Sequence, residues 1–152
     1  MMAMTRIKTN HFIILPTVIL FLIAMVTSCN YRTPSKKRFA KVCDIEIPEN
    51  VEVVKDEYQD MWQDYAIVYE IKLNDKTCAE LTESIRNSAY YNPNAFMTEY
   101  IDPSTYIDTL GMKAVWGRTK SGYYFGSELG RDTYFVEVDT IKMEARFDEG
   151  HD

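Results

Sequence analysis

The chain has 152 residues, of which 17 are basic and 23 acidic, and its net charge at neutral pH is −6. All 23 acidic residues lie within residues 42–152, where ten basic residues leave a net charge of −13. A body this acidic repels phosphate backbones, so the composition argues against a nucleic-acid partner. Residues 42–152 are enough for one domain with its own core.

The N-terminus has the layout of a secretory signal. Two basic residues precede an apolar run over residues 12–26, and two small residues then lead to Cys29. A membrane-spanning helix needs about 20 apolar residues, whereas this run has 15 and contains Pro16. The short run therefore favours a signal over a transmembrane anchor, and the missing polar face argues against a buried helix.

The segment Val26-Thr27-Ser28-Cys29 resembles the lipobox of bacterial lipoproteins. This resemblance covers roughly the first 30 residues. It implies that residues 1–28 are a signal peptide, that Cys29 carries diacylglycerol on its thiol, and that the new N-terminus is acylated. The partner of Cys29 would then be membrane lipid. The residues that follow, Asn30-Tyr31-Arg32, lack the acids common in surface-exported lipoproteins, which implies an outer-membrane location facing the periplasm.

Residues 29–41 are predicted to be a lipidated basic tether. Residues 30–41 contain five basic residues and no acidic residue. This composition is typical of a solvated linker, with Pro34 as a stiffener. Each Lys or Arg near an anionic membrane surface would add about 1 kcal/mol of attraction. Residues 42–152 are predicted to form the single folded domain.

Two cysteines remain once Cys29 is assigned to the anchor, and these are Cys43 and Cys78. Two thiols in an oxidising compartment suggest a disulfide bond. Closing a loop of about 36 residues would contribute on the order of 4 kcal/mol under the chain-entropy model. The alternative is a pair of buried free thiols.

The first half of the body indicates strands around one helix. Residues 42–47 are predicted to be a short strand, residues 51–55 continue an extended pattern, and residues 65–73 alternate strongly. A cluster of acids between them is interpreted as a polar turn, because it lacks the ligand spacing of a calcium loop; the cluster is Asp56, Glu57, Asp60 and Asp64. Residues 77–89 are predicted to be a helix with a Thr77–Glu80 capping box and an apolar stripe of Cys78, Leu81, Ile85 and Ala89.

The second half of the body indicates a β-meander. Residues 92–112 are irregular and contain two prolines, which is typical of a functional loop. Four alternating segments follow, at 113–119, 123–128, 133–139 and 141–147. The predicted fold class is therefore α+β: an antiparallel sheet, made of a C-terminal four-strand meander plus N-terminal strands, with one packed helix.

Motifs for catalysis or cofactor binding do not stand out in the body. Its single histidine is His151, predicted to be solvated near the chain end, so Ser-His-Asp and multi-histidine zinc sites are excluded. Neither a phosphate-binding loop nor a dinucleotide fingerprint occurs. We therefore predict no cofactor and no metal site. The acidic residues are too numerous for the sequence to single out a catalytic pair.

Aromatic residues are the remaining signal. We predict that Tyr100, Tyr106, Trp116 and Tyr124 line a partner-facing patch, with burial in the core as the alternative. The body is broadly similar to small Gram-negative lipoproteins of unassigned function, a similarity that transfers no site residues. The sequence favours a non-enzymatic, lipid-anchored binding module with a protein or glycan partner. The alternatives are a carboxylate-based hydrolase of envelope polymers, and an inhibitor or immunity-type protein with an acidic face.

Overall fold

In the part of the chain that the structure describes, seven strands form one sheet, and two helices pack on one of its faces. The computed structural model describes residues 33–62, 64–98, 113–129 and 131–151. The sheet order is β1-β2-β7-β6-β5-β4-β3. In chain order the elements are α1 (Ser35–Cys43), β1 (Glu52–Met61), β2 (Asp64–Lys72), α2 (Asp75–Asn87), β3 (Tyr91–Phe96), β4 (Ala114–Arg118), β5 (Gly122–Leu129), β6 (Asp132–Asp139) and β7 (Glu144–His151).

The predicted C-terminal meander is confirmed, but its last strand begins at Glu144 rather than Ile141, because residues 140–143 form a turn. Strands β4, β5, β6 and β7 pair in sequence order, each antiparallel to the next. Strands β2 and β1 extend the sheet beyond β7, also antiparallel. Strand β3 pairs in parallel with β4, so the sheet is mixed rather than purely antiparallel. The α+β class holds, and the described residues contain two helices where the sequence predicted one.

Helix α1 replaces two features predicted from the sequence. Residues 35–43 form a helix rather than the end of a flexible tether, and the strand predicted at 42–47 is wrong. Phe39 and Cys43, four residues apart on one face of the helix, are fully buried against the sheet. Asp44 ends the helix in the left-handed conformation, which Asp tolerates better than most residues. The compact unit accordingly begins at Pro34 and not at residue 42.

Helix α2 confirms the predicted helix with a different start. Asn74 is the N-cap: its side chain accepts a hydrogen bond from the Thr77 amide, while the Thr77 hydroxyl accepts one from the Asn74 amide. This capping box lies three residues upstream of the predicted one and begins the helix at Asp75. Cys78, Leu81 and Ile85 are buried on the sheet, as the stripe predicts, whereas Ala89 lies beyond the helix. No helix in the described residues is long and apolar enough to span a bilayer.

The core lies between the sheet and the helices because alternate side chains of the strands point there. On β2 these are Ile67, Tyr69 and Ile71, as the alternation predicted. A smaller cluster of Ala95, Met97 and Val115 lies around β3 and β4. The segment predicted to be an irregular loop at 92–112 thus begins as strand β3, and residues 99–112 lie outside the described residues.

Candidate functional site

Strand β1 forms one end of the sheet and, with the turn after it, carries most of the exposed large apolar side chains of the described residues. Within the described residues it pairs with β2 alone. Seven large apolar side chains are exposed in the described residues, and four of them belong to β1 or the turn after it: Val53, Val54, Tyr58 and Trp62. An exposed edge strand presents unpaired main-chain donors and acceptors to another chain. This edge is therefore the leading candidate for an interaction surface.

Trp62 is the most exposed of these side chains. Met61 pairs with Asp64 across a tight hairpin turn that contains Trp62. Such turns require positive φ values, and Trp62 adopts a φ of 71°. Its side chain is fully exposed. A bulky residue at positive φ is unusual, and turns of this type normally use Gly or Asn. The tip of the hairpin therefore presents an indole to solvent where a small polar residue would fold more easily.

The edge strand is also strongly acidic. Glu52–Met61 contains four acidic residues and one basic residue, for a net charge of −3. Asp56 accepts a hydrogen bond from the Ser35 hydroxyl of α1 at 2.5 Å, and Lys55 lies 3.1 Å from Glu57. The prediction of a polar turn at the four acids is wrong, because Asp56, Glu57 and Asp60 lie in β1 and Asp64 begins β2. Like charges directly opposite each other in a sheet are destabilising, so this edge disfavours pairing with a second acidic strand.

A buried ion pair supports the inner side of this edge. Glu149 of β7 is only 2% exposed, and the Arg38 guanidinium of α1 donates to both of its carboxylate oxygens. The Tyr65 hydroxyl of β2 donates to Glu149 at 2.7 Å and accepts from Arg38 at 2.8 Å. A bidentate pair with a third hydrogen bond satisfies the buried charge. The cluster of Arg38, Tyr65 and Glu149 joins α1 to two neighbouring strands of the sheet.

The protonation states in this cluster favour a structural role. Hydrogen bonding to Glu149 raises the pKa of Arg38, which therefore remains charged. Burial and the hydrogen bond to Glu149 raise the pKa of Tyr65, which therefore remains protonated. Both groups are donors to Glu149, so the carboxylate is occupied by hydrogen bonds rather than exposed to a substrate. The arrangement fixes geometry and is poorly suited to proton transfer.

Aromatic rings continue from this cluster towards the edge. Tyr58 stacks on Tyr65 with a centroid separation of 5.7 Å, and Tyr65 stacks on His151 at 5.1 Å. His151 Nδ1 lies 2.5 Å from Asp132 Oδ1. The prediction of a solvated His151 is therefore wrong, because strand β7 extends to that residue and its ring packs on Tyr65. Cross-strand aromatic pairs of this kind fix neighbouring strands together.

The alternative function, a carboxylate-based hydrolase, would require an acidic cleft. The candidate for such a cleft lies on the face of the sheet that carries no helix. A cavity of about 250 Å³ there is lined by four acidic and three basic residues of β2, β6, β7 and the β6–β7 turn. Arg146 is 2.9 Å from Glu70 and 2.8 Å from Asp148, and backbone amides of the β6–β7 turn lower the pKa of Asp139. Ion pairing favours the charged form of a carboxyl, whereas a general acid must be protonated. The ion pairs at this cavity therefore do not favour the hydrolase alternative. The described residues contain no group of three or more potential metal ligands.

The structure describes two of the four residues predicted to form an aromatic patch, Trp116 and Tyr124. Trp116 is 0% exposed, and its indole N–H donates to the carbonyl of Cys43 at 2.9 Å. Placing it on a partner-facing surface was wrong, because β4 points this side chain towards α1. Tyr124 is partly buried against the small cluster around β3 and β4. Tyr100 and Tyr106, like the lipidation candidate Cys29, lie outside the described residues.

Cys43 and Cys78 are free, buried thiols in the structure, which does not contain the predicted bridge. Each packs as a small apolar side chain in the core under its helix. Burial raises the pKa of both thiols, and the charge of Asp75 adds to the effect at Cys78.

We expect both thiols to resist alkylation in the native protein, because reaction requires the thiolate. After denaturation without reductant, both should be labelled, as intact-mass measurement can count. Labelling that appears only after reduction would show that the bridge forms.

No protein-family model, curated protein or solved structure matches this chain. A functional assignment therefore rests on the geometry of the described residues.

The β1 edge was missed at the sequence level because its residues lack apolar alternation. The available signal was the run Val51, Val53 and Lys55, which predicted extended structure but not how far it continued.

Proposed function

We propose that this chain is a lipid-anchored, non-enzymatic interaction module of the cell envelope, facing the periplasm from the outer membrane. It binds an extended, basic polypeptide segment along the outer edge of β1. The main support for this binding surface is that four of the seven exposed large apolar side chains in the described residues lie on this one edge and its turn.

The chemistry of the edge defines the partner. An added strand gains affinity from main-chain hydrogen bonds and specificity from alternate side chains. The net charge of −3 on β1 favours Lys or Arg at those alternate positions. A second copy of β1 would bring the same negative charge and is disfavoured. The acidic edge agrees with the inhibitor or immunity-type alternative, in which the partner is a basic protein.

The anchor has separate support from the sequence. The apolar run over residues 12–26 and the lipobox-like segment ending at Cys29 favour lipidation. Two or more acyl chains give stable retention, at about 0.8 kcal/mol per buried CH₂. The described domain begins at Pro34, only a few residues after Cys29. A partner captured by β1 would thus be held at the membrane.

The anchor is tested with Cys29→Ala in the full chain. We expect the wild-type protein, extracted from membranes, to have the mass of residues 29–152 plus diacylglycerol and an acyl chain. The variant should lack the lipid and remain unprocessed. An unlipidated wild-type protein with another N-terminus would contradict the anchor and leave the β1 surface to be tested separately.

The interaction surface is tested by photocrosslinking in intact cells. A p-benzoylphenylalanine in place of Tyr58 or Trp62 should form adducts with another polypeptide. The same residue in place of Ile141 is the matched control, because Ile141 is also exposed but lies on the β6–β7 turn. Glu57→Gln with Asp60→Asn should reduce the adducts, since the partner is basic.

Equal adducts from all three positions, or no polypeptide adduct from Tyr58 and Trp62, would overturn the proposed surface. Adducts to glycan would favour the glycan alternative instead.

A further inference from the structure

A second surface lies between helix α2 and two turns of the sheet. An open groove of about 440 Å³ is bordered by α2, by the β4–β5 turn and by the β6–β7 turn. Its volume is within the range of small-molecule sites, roughly 300–1,000 Å³. β1 lies at one end of the strand order and β4 and β5 near the other, so this groove is separate from the β1 edge.

The groove is basic, although the body is acidic. Arg86 of α2, Arg118 of β4 and Lys120 of the following turn line it, together with one acid, Asp75. Three cations and one carboxylate give the lining a net charge of +2. Residues 42–152 as a whole carry −13. Cations gathered in one groove of such a body create a local potential that attracts anions.

Two of these cations are available to a ligand. Arg118 and Lys120 are exposed and form no ion pair with any residue that the structure describes. Lys142, in contrast, pairs with Asp139, and Arg146 pairs with Glu70. Basic residues of this chain are thus often neutralised by the surrounding acids, whereas those at the β4–β5 turn are not.

Arg86 is held in position by Tyr123. Its Nε donates to the Tyr123 hydroxyl at 2.7 Å, and its guanidinium carbon lies 5.8 Å from the centre of the tyrosine ring. Tyr123 engages Nε and leaves the two terminal nitrogens of Arg86 for a ligand. A guanidinium fixed in this way loses less entropy when it binds an oxyanion. The hydrogen bond to Tyr123 also raises the pKa of Arg86, which stays charged.

The β4–β5 turn that carries Lys120 is rigid. The Thr119 hydroxyl accepts a hydrogen bond from the Gly122 amide at 2.9 Å, and the Thr140 hydroxyl donates to the Ser121 carbonyl at 2.7 Å. A Cβ on Gly122 would lie 2.0 Å from the Val138 carbonyl oxygen, so only glycine allows this close approach. The backbone of the turn is therefore fixed against β6.

We propose that this groove binds the phosphate group of a small phosphate-bearing ligand. Arginine side chains bind phosphate oxygens bidentately, and a phosphate group carries about −1.5 to −2 charges at neutral pH. That charge matches the net +2 of the lining. The phosphate belongs to a soluble phosphomonoester or to a monoester lipid headgroup, as in phosphatidic acid, and both present the same oxyanion to Arg118 and Lys120.

The test is calorimetric titration of the full lipidated chain in neutral detergent. The probes are inorganic phosphate and dibutanoyl phosphatidic acid, a water-soluble headgroup analogue. We expect saturable binding of at least one probe, weakened at least tenfold by Arg118→Gln with Lys120→Gln. The control is Lys72→Gln, which removes an exposed cation from the helix-free face and should leave binding unchanged.

The two probes distinguish the sources. Tighter binding of the phosphatidic acid analogue indicates a headgroup, and equal or tighter binding of inorganic phosphate indicates a soluble ligand. No binding of either probe, or a loss of affinity as large in Lys72→Gln as in the double variant, would overturn the proposal. Arg118 and Lys120 are exposed, so unfolding of the double variant should match that of wild type.

Discussion

Replacing Arg38 with methionine is expected to destabilise the folded protein by about 3–5 kcal/mol, because it leaves Glu149 buried without its cation. Glu149 is 2% exposed and receives two hydrogen bonds from Arg38. Methionine keeps an unbranched apolar stem, so the loss reports the guanidinium charge and its hydrogen bonds. Urea unfolding of the purified full chain, followed by circular dichroism, measures the change.

Two further variants separate this effect from a general weakening of α1. Lys37→Met changes a neighbouring exposed lysine of the same helix and should alter the unfolding free energy by less than about 0.5 kcal/mol. Arg38→Met combined with Glu149→Gln should be more stable than Arg38→Met alone, since no unpaired charge remains. If Arg38→Met reduced the unfolding free energy no more than Lys37→Met does, the buried ion pair would not hold α1 to the sheet.

Trp116→Ala is expected to cost about 3–5 kcal/mol of unfolding free energy, as truncation of a large buried aromatic does. Trp116 is fully buried, packs on Phe125 at a centroid separation of 5.0 Å, and donates to the Cys43 carbonyl. The truncation leaves a cavity and removes one of the two hydrogen bonds to the Cys43 carbonyl, which also accepts from the Ser88 hydroxyl at 3.3 Å. The same urea unfolding experiment measures the loss.

Trp62→Ala is the matched control, because it removes the chain's other tryptophan from a fully exposed position. Its effect on stability should stay within about 0.5 kcal/mol. Trp116→Phe should lie between the two, since it keeps much of the volume and loses the N–H donor. Similar losses for Trp62→Ala and Trp116→Ala would contradict both the burial of Trp116 and the exposure of Trp62.

The sheet was predictable where one face is buried. In β2 and β6, apolar and polar residues alternate, and this alternation directly predicts an antiparallel strand with one buried side. Helix α1 was not predictable in the same way. A helix of nine residues is marginal in isolation, and this one has a proline N-cap and only Phe39 and Cys43 fully buried among its apolar residues. Contacts with the rest of the fold therefore stabilise helix α1.

The candidate edge was harder to predict than the fold. Strand β1 has mostly exposed side chains, so its residues show no alternation that would distinguish it from a polar turn. Strand β3 was missed because it contains Pro93, which the edge of a sheet tolerates. The Arg38–Glu149 pair joins residues 111 positions apart, and no local pattern reports such a contact.

Hydrogen exchange of the β1 amides tests the central claim most directly. The full chain, purified in detergent, is measured alone and with a short synthetic peptide of alternating Lys and Val. Addition of this peptide should protect amides within Glu52–Met61 that exchange rapidly in the free protein, because a new strand pairs with the outer edge. A peptide of alternating Glu and Val should give much less protection. No gain of protection in β1 with the Lys peptide, or an equal gain with the Glu peptide, would contradict the account.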